Sequence, residues 1–128
     1  MTYATFVANL MDLTVTGVTR VHDEPPAQIS TADLPVMYPR LPELSNEVIS
    51  LGLLSGLPQM QCEVVILVEP IGQSINSANF AAMVAIIDAF NAALVASDIR
   101  ADNWSIRQET AVLSDTPYWA LVATVEAS

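Results

Sequence analysis

SANFAAMVAIIDAFNAALVAS, residues 77–97, reads as one long helix with almost no side that belongs in water. Phe80, Met83, Val84, Ile87, Phe90 and Leu94 recur at three- and four-residue spacing and predict an apolar face directed at a sheet. The opposite side is built from Ala81, Ala82, Ala85, Ile86, Ala89, Ala92, Ala93 and Ala96, relieved mainly by Asn79, Asp88 and Asn91. A helix that is apolar nearly all round is buried nearly all round. A chain of 128 residues has room for one modest core. The alanine side, with Ala82, Ala85, Ala89 and Ala93 at its centre, therefore predicts a close neighbour. That neighbour is either a second copy of the chain or the N-terminal helix of the same chain.

Around this helix the pattern predicts short strands. Met60–Glu69 is the clearest, with Met60, Cys62, Val64, Ile66 and Val68 alternating against Gln61, Glu63, Val65, Leu67 and Glu69. Its middle is apolar on both faces, as in a central strand covered on both sides. Upstream, Tyr3–Leu13 predicts a short amphipathic helix, and Gly17 suits a left-handed turn after it. Val18–His22 predicts a strand that Asp23-Glu24-Pro25-Pro26 breaks. Leu34–Leu41 predicts another, confined to an edge or a strand end by Pro35 and Pro39. Downstream, Trp104–Leu113 and Tyr118–Glu126 pair through a turn at Ser114-Asp115-Thr116-Pro117. The expected fold is a single α+β domain over residues 1–128: a mixed or antiparallel sheet flanked by two helices, in the order α-β-β-arm-β-α-β-β. The arm is residues 43–58. Its Leu51, Leu53 and Leu54 suit contact with a partner, although a loop folded back on its own domain fits the residues equally well.

Composition narrows the function. The chain is 52% apolar, which excludes disorder, and no apolar run reaches the roughly 18–20 residues of a membrane span. Met1–Phe6 lacks the basic start of a secretory leader, and one cysteine allows no internal disulfide. These features predict an intracellular or assembly setting. Fourteen acids face four arginines (Arg20, Arg40, Arg100 and Arg107) with no lysine, a net charge of −10. Such a chain repels phosphate backbones, so gripping nucleic acid is not expected. An acidic surface serves solubility, or lets DNA pass without sticking. With so few cations, Arg40, Arg100 and Arg107 are candidates for ion pairs between subunits.

Catalytic patterns fail one by one. His22 is the only histidine and Cys62 the only cysteine, too few for a zinc site. Cys62 lies inside the strongest strand, where a thiol is buried and inert. Glu63 and Glu69, six residues apart on one strand, are roughly 20 Å from each other, too far for a glycosidase pair. Gly52 and Gly56 are not followed by the Lys-Ser or Lys-Thr of a phosphate loop. The expectation is a protein without catalysis, metal or cofactor.

The residues Gly17-Val18-Thr19-Arg20-Val21-His22, the break at Asp23–Pro26, Ala32-Asp33-Leu34-Pro35-Val36-Met37, the arm, the Met60–Glu69 strand, the long helix and the closing Tyr118–Glu126 carry a resemblance. In this order they resemble the tail terminator (tail completion) proteins of long-tailed bacteriophages, over nearly the whole chain. The resemblance implies a virion protein, made in the host cytoplasm, that assembles as a hexameric ring. Such a ring caps the tail tube, stops its polymerisation and offers a surface to the head-to-tail connector or stopper. A ring of six would carry about −60, so DNA would slide through the lumen without specific binding. A connector, stopper or other neck protein is the nearest alternative, and a small-molecule-binding α+β module the more distant one.

Overall fold

The computed structural model describes residues 2–41, 60–71, 76–99 and 101–127, with the side chains of 76–79 left aside. The elements in chain order are α1 (Tyr3–Met11), β1 (Arg20–Val21), a single 3-10 turn at Thr31–Asp33, β2 (Val36–Arg40), β3 (Met60–Pro70), α2 (Asn76–Ala96), β4 (Ala101–Leu113) and β5 (Thr116–Ala127). Five strands form one mixed sheet in the order β1-β2-β3-β5-β4. Only β1 and β2 run parallel. This is the α+β sheet with two helices that the sequence predicts. The arm at 43–58 lies outside the described residues.

β3 is central because both of its pleat faces are apolar. Cys62, Val64, Ile66 and Val68 join Met37, Leu121, Ala123 and Val125 on one face, beneath Phe6, Leu10 and Met11 of α1 and Met83, Ile86, Phe90 and Leu94 of α2. Both helices therefore cover the same face. Thr2 caps α1 by accepting a bond from the Thr5 N–H at 3.1 Å, satisfying one of the helix's open donors. Gly17 follows with φ +99°, as the sequence predicts, and lies so close to α2 that a Cβ there would meet Ile86 Cγ1 at 3.2 Å.

The other face is built from Val36, Tyr38, Val65, Leu67, Tyr118, Ala120 and Val122, with Ile29 and Leu34 packed against it. Ser114 Oγ, in the β4–β5 turn, donates to the Ala27 carbonyl at 2.7 Å. The segment between β1 and β2 thus crosses this face from one side of the sheet to the other.

Three expectations are corrected. First, α2 is rotated: Ile86 is in the core, while Phe80 and Val84, expected on the sheet, are 67% and 41% exposed. Met83, Ile86, Phe90 and Leu94 also satisfy helical spacing, and in a helix apolar all round the period alone does not choose between two such stripes. Second, β2 is an inner strand, but β1 pairs only with Val36 and Met37. Pro39 lies beyond that short ladder, so its missing N–H breaks no bond. Third, Glu63 and Glu69 do not share a face. Glu63, Val65 and Leu67 oppose Thr124, Val122 and Ala120, whereas a bulge shifts Glu69 opposite Trp119, a residue of the other pleat.

The closing hairpin is tighter than the four-residue turn expected. Leu113 pairs with Thr116, leaving Ser114 and Asp115 as the loop, both at positive φ (48° and 64°). Two successive left-handed residues match the right-handed twist of long paired strands.

Candidate assembly surface

α2 offers two distinct exposed sides. Its core stripe, Met83, Ile86, Phe90 and Leu94, takes up roughly a third of the helix circumference. Next to it, on the side facing β4, stand Phe80, Val84 and Val95, the last 71% exposed. The position of this side is fixed by Trp104 of β4, whose indole N–H donates to Asn91 Oδ1 at 2.9 Å. A groove of about 110 Å³ runs between helix and strand, lined by Phe80, Val84, Ile87, Ile106 and Gln108.

Farther round lies the alanine side. Ala82 and Ala85 are exposed, as are Ala81, Ala92 and Ala96, while Ala89 and Ala93 are half-buried at the margin of the core. Asp88 is the one charged residue of the helix, and it too is exposed. Small side chains here leave the helix backbone open to close approach, which long side chains would prevent.

The sheet offers a second surface. β4 is thirteen residues long and lies at the edge of the sheet, with no described strand beyond it. Val112 at its far end is 67% exposed. Natural edge strands are kept short or blunted with lysine or proline. β1, at the other edge, is two residues long, whereas β4 is long and is interrupted by a bulge between Ala101 and Asn103 and by its charged residues.

On the face away from the helices, a ring of charge spans four strands. Glu63 of β3 accepts from Arg40 Nε of β2 at 2.9 Å and from Arg107 Nη2 of β4 at 2.7 Å. Glu109 closes the ring, with Oε2 at 2.6 Å from Arg107 Nε and 3.6 Å from Arg40 Nη2. Thr124 of β5 accepts from Arg107 Nη1 at 3.0 Å. Burial acts to raise the Glu63 pKa, but the bonds from Arg107 and Arg40 outweigh it and hold the carboxyl below its ordinary value. Its carboxylate in turn raises the Arg107 pKa. Arg40 and Arg107, expected as partners for another subunit, thus find their acids within the chain. Arg20 does so more loosely, 3.7 Å from Asp33. Arg100, Leu51, Leu53 and Leu54 lie outside the described residues.

The groups with chemical potential are quiet. Cys62 is 1% exposed, and burial pushes its thiol up to about 11. Tyr3, whose hydroxyl donates to the Gln61 carbonyl at 2.7 Å, is pushed up to about 12, chiefly by burial. The hollow of about 270 Å³ over Cys62 is walled by Tyr3, Val7, Pro25, Pro39, Arg40, Leu41 and two acids, Asp23 and Glu24. His22 is half-buried, and its buried Nε2 has no hydrogen-bond partner among the described residues. No cluster of metal-binding side chains occurs among the described residues. Among the described residues, no helix is long and apolar enough to cross a membrane.

What the sequence did not reveal is the β4-facing side of α2. Phe80, Val84, Val95 and Val112 read as core residues by hydrophobicity alone, and only the rotation of the helix brings the first three to the surface. The chain matches no family model and no curated protein.

Proposed function

We propose that this protein is a structural subunit that assembles side by side with copies of itself into a ring, acting as the tail terminator of a long-tailed bacteriophage. The observation that carries this reading is the outer side of α2: a 21-residue helix whose Ala81, Ala82, Ala85, Ala92 and Ala96 are exposed rather than packed against α1. A contact between this side and a different surface of the next subunit is heterologous, and such contacts close into rings. The net charge of −10 supports a ring whose lumen passes DNA without holding it. The order of elements and the Gly17–His22 and Ala32–Met37 segments support the choice of terminator among ring proteins.

The test mixes the protein with purified tail-tube protein that otherwise polymerises without limit. Under this reading, tubes stop growing once the protein is added, and electron micrographs show a cap at one end. Tube lengths that do not change with added protein would overturn it.

A further inference from the structure

We infer that residues 23–33 form a strap that opens as a unit on its base, uncovering the second apolar face of the sheet while the helices and strands stay in place. The strap is the connection from β1 to β2. Parallel neighbours need a crossover of a dozen or more residues, usually a helix. Here the crossover holds only the 3-10 turn at Thr31–Asp33. The layer that a helix would form over this face is therefore made of irregular chain.

Beneath it lies an apolar floor in which Val36, Val65, Leu67, Ala120 and Val122 are fully buried. The strap itself is lightly held. Of residues 23–33, Pro26, Ile29 and Asp33 are half-buried and the rest are exposed. Ile29 packs against the floor, with Leu34 at the strap's end. The opposite face, by contrast, is covered by Phe6, Leu10, Met83, Ile86, Phe90 and Leu94, all buried. Among the described residues, 23–30 make one hydrogen bond to the sheet, the Ser114 Oγ bond to the Ala27 carbonyl at 2.7 Å. The bonds of the last turn stay within the strap, from Asp33 N–H to the Ser30 carbonyl at 3.0 Å and from Ala32 N–H to Ser30 Oγ at 3.3 Å. Ordering the backbone of one residue costs at least as much as one such bond contributes. Eleven residues held by one pin and one apolar anchor therefore open far more readily than the core.

The base is fastened separately. Thr19 Oγ donates to the Leu34 carbonyl at 3.1 Å, Thr19 N–H to the Pro35 carbonyl at 2.8 Å and His22 N–H to the Met37 carbonyl at 2.9 Å. These bonds join the two ends of the strap and leave its middle out. Releasing the pin at Ser114 thus frees the strap without breaking the β1–β2 ladder. The strap lies on the face away from α2, and its opening does not depend on ring formation.

Two thiols on opposite faces test this. Ala120→Cys places one on the floor, and Cys62, 1% exposed on the helix face, is the reference within the same molecule. Iodoacetamide labelling of the full chain, with each site read by peptide mass spectrometry, should modify position 120 at least about tenfold faster than Cys62. The rate at 120 should rise only weakly with urea, because opening the strap exposes little surface, whereas Cys62 should follow the full unfolding slope. Ser114→Gly removes the pinning hydroxyl and suits the positive φ of that turn. It should speed labelling at 120 by about two- to tenfold and leave Cys62 no faster. If Ala120→Cys lowers the urea midpoint, Val36→Cys on the same face takes its place with the same expectations. Equal rates and urea slopes at the two thiols, or a floor thiol that does not respond to Ser114→Gly, would overturn the inference.

Discussion

Glu63 of β3 and Arg107 of β4 meet at 2.7 Å although β5 lies between their strands. Two strand spacings separate their backbones by about 10 Å, and the long arginine side chain bridges them over β5, where it also bonds Thr124. Arg40 reaches the same carboxylate from β2. One acid thereby ties together strands that come from both halves of the sequence. Replacing it by alanine leaves two guanidinium groups sharing Glu109 alone. Glu63→Ala should cost about 1–3 kcal/mol, read as a lower urea midpoint with an unchanged slope.

The same carboxylate sets an acid limit. Its folded-state pKa lies below its unfolded value, so its contribution is fully present above about pH 4.5 and is lost as pH falls through the folded value. Between pH 5 and pH 3, wild-type stability should therefore fall more steeply than that of Glu63→Gln, which has no proton to take up there. Parallel curves for the two proteins would rule out this role.

At the other end of the scale, the Cys62 thiol is raised by burial from 9.0 to about 11, so ionising it opposes folding. Its contribution is present below pH 9 and is lost as pH rises towards 11. Tyr3, raised to about 12, adds to the loss at still higher pH. A thiol reagent at pH 8 should leave the folded protein unmodified and react with one equivalent after denaturation.

How much of this was legible beforehand differs by element. Met60–Glu69 announced itself, because alternation and a doubly apolar middle allow only a central strand. The prolines of β2 suggested an edge or a strand end, yet β2 lies between β1 and β3; that β1 pairs with just two of its residues, leaving Pro39 beyond the ladder, is a matter of chain path, which no local pattern encodes. α2 existed in the sequence without an orientation. Ile86 and Phe80 are equally hydrophobic to a periodicity argument, and the choice between them rests on the close approach of Gly17, 69 positions upstream. The charge ring was hidden for a related reason. Glu63 and Arg107 share a face only once β5 is inserted between their strands, and Glu69, which the alternation put beside Glu63, is taken off that face by the bulge.

The rotation of α2 has a direct thermodynamic signature. Ile86 is 2% exposed and Phe80 is 67% exposed. Ile86→Ala should cost about 2–4 kcal/mol through lost burial and the space left behind. Phe80→Ala should stay within about 0.5 kcal/mol for the isolated subunit, despite removing the larger side chain. The opposite order in denaturant melts would restore the Phe80-inward helix that the periodicity suggested.

Gly17 couples α1 to that rotation. Its φ of +99° is unfavourable for any residue with a Cβ, and the Cβ of an alanine would press on Ile86 Cγ1 at 3.2 Å. Gly17→Ala should destabilise the fold by about 1–2 kcal/mol. Pairing it with Ile86→Ala, which removes the contacting Cγ1, separates the two causes. Contact strain would appear as a double-mutant cost smaller than the sum of the single costs. Backbone strain alone would leave the costs additive, because the left-handed conformation is unaffected by what residue 86 carries.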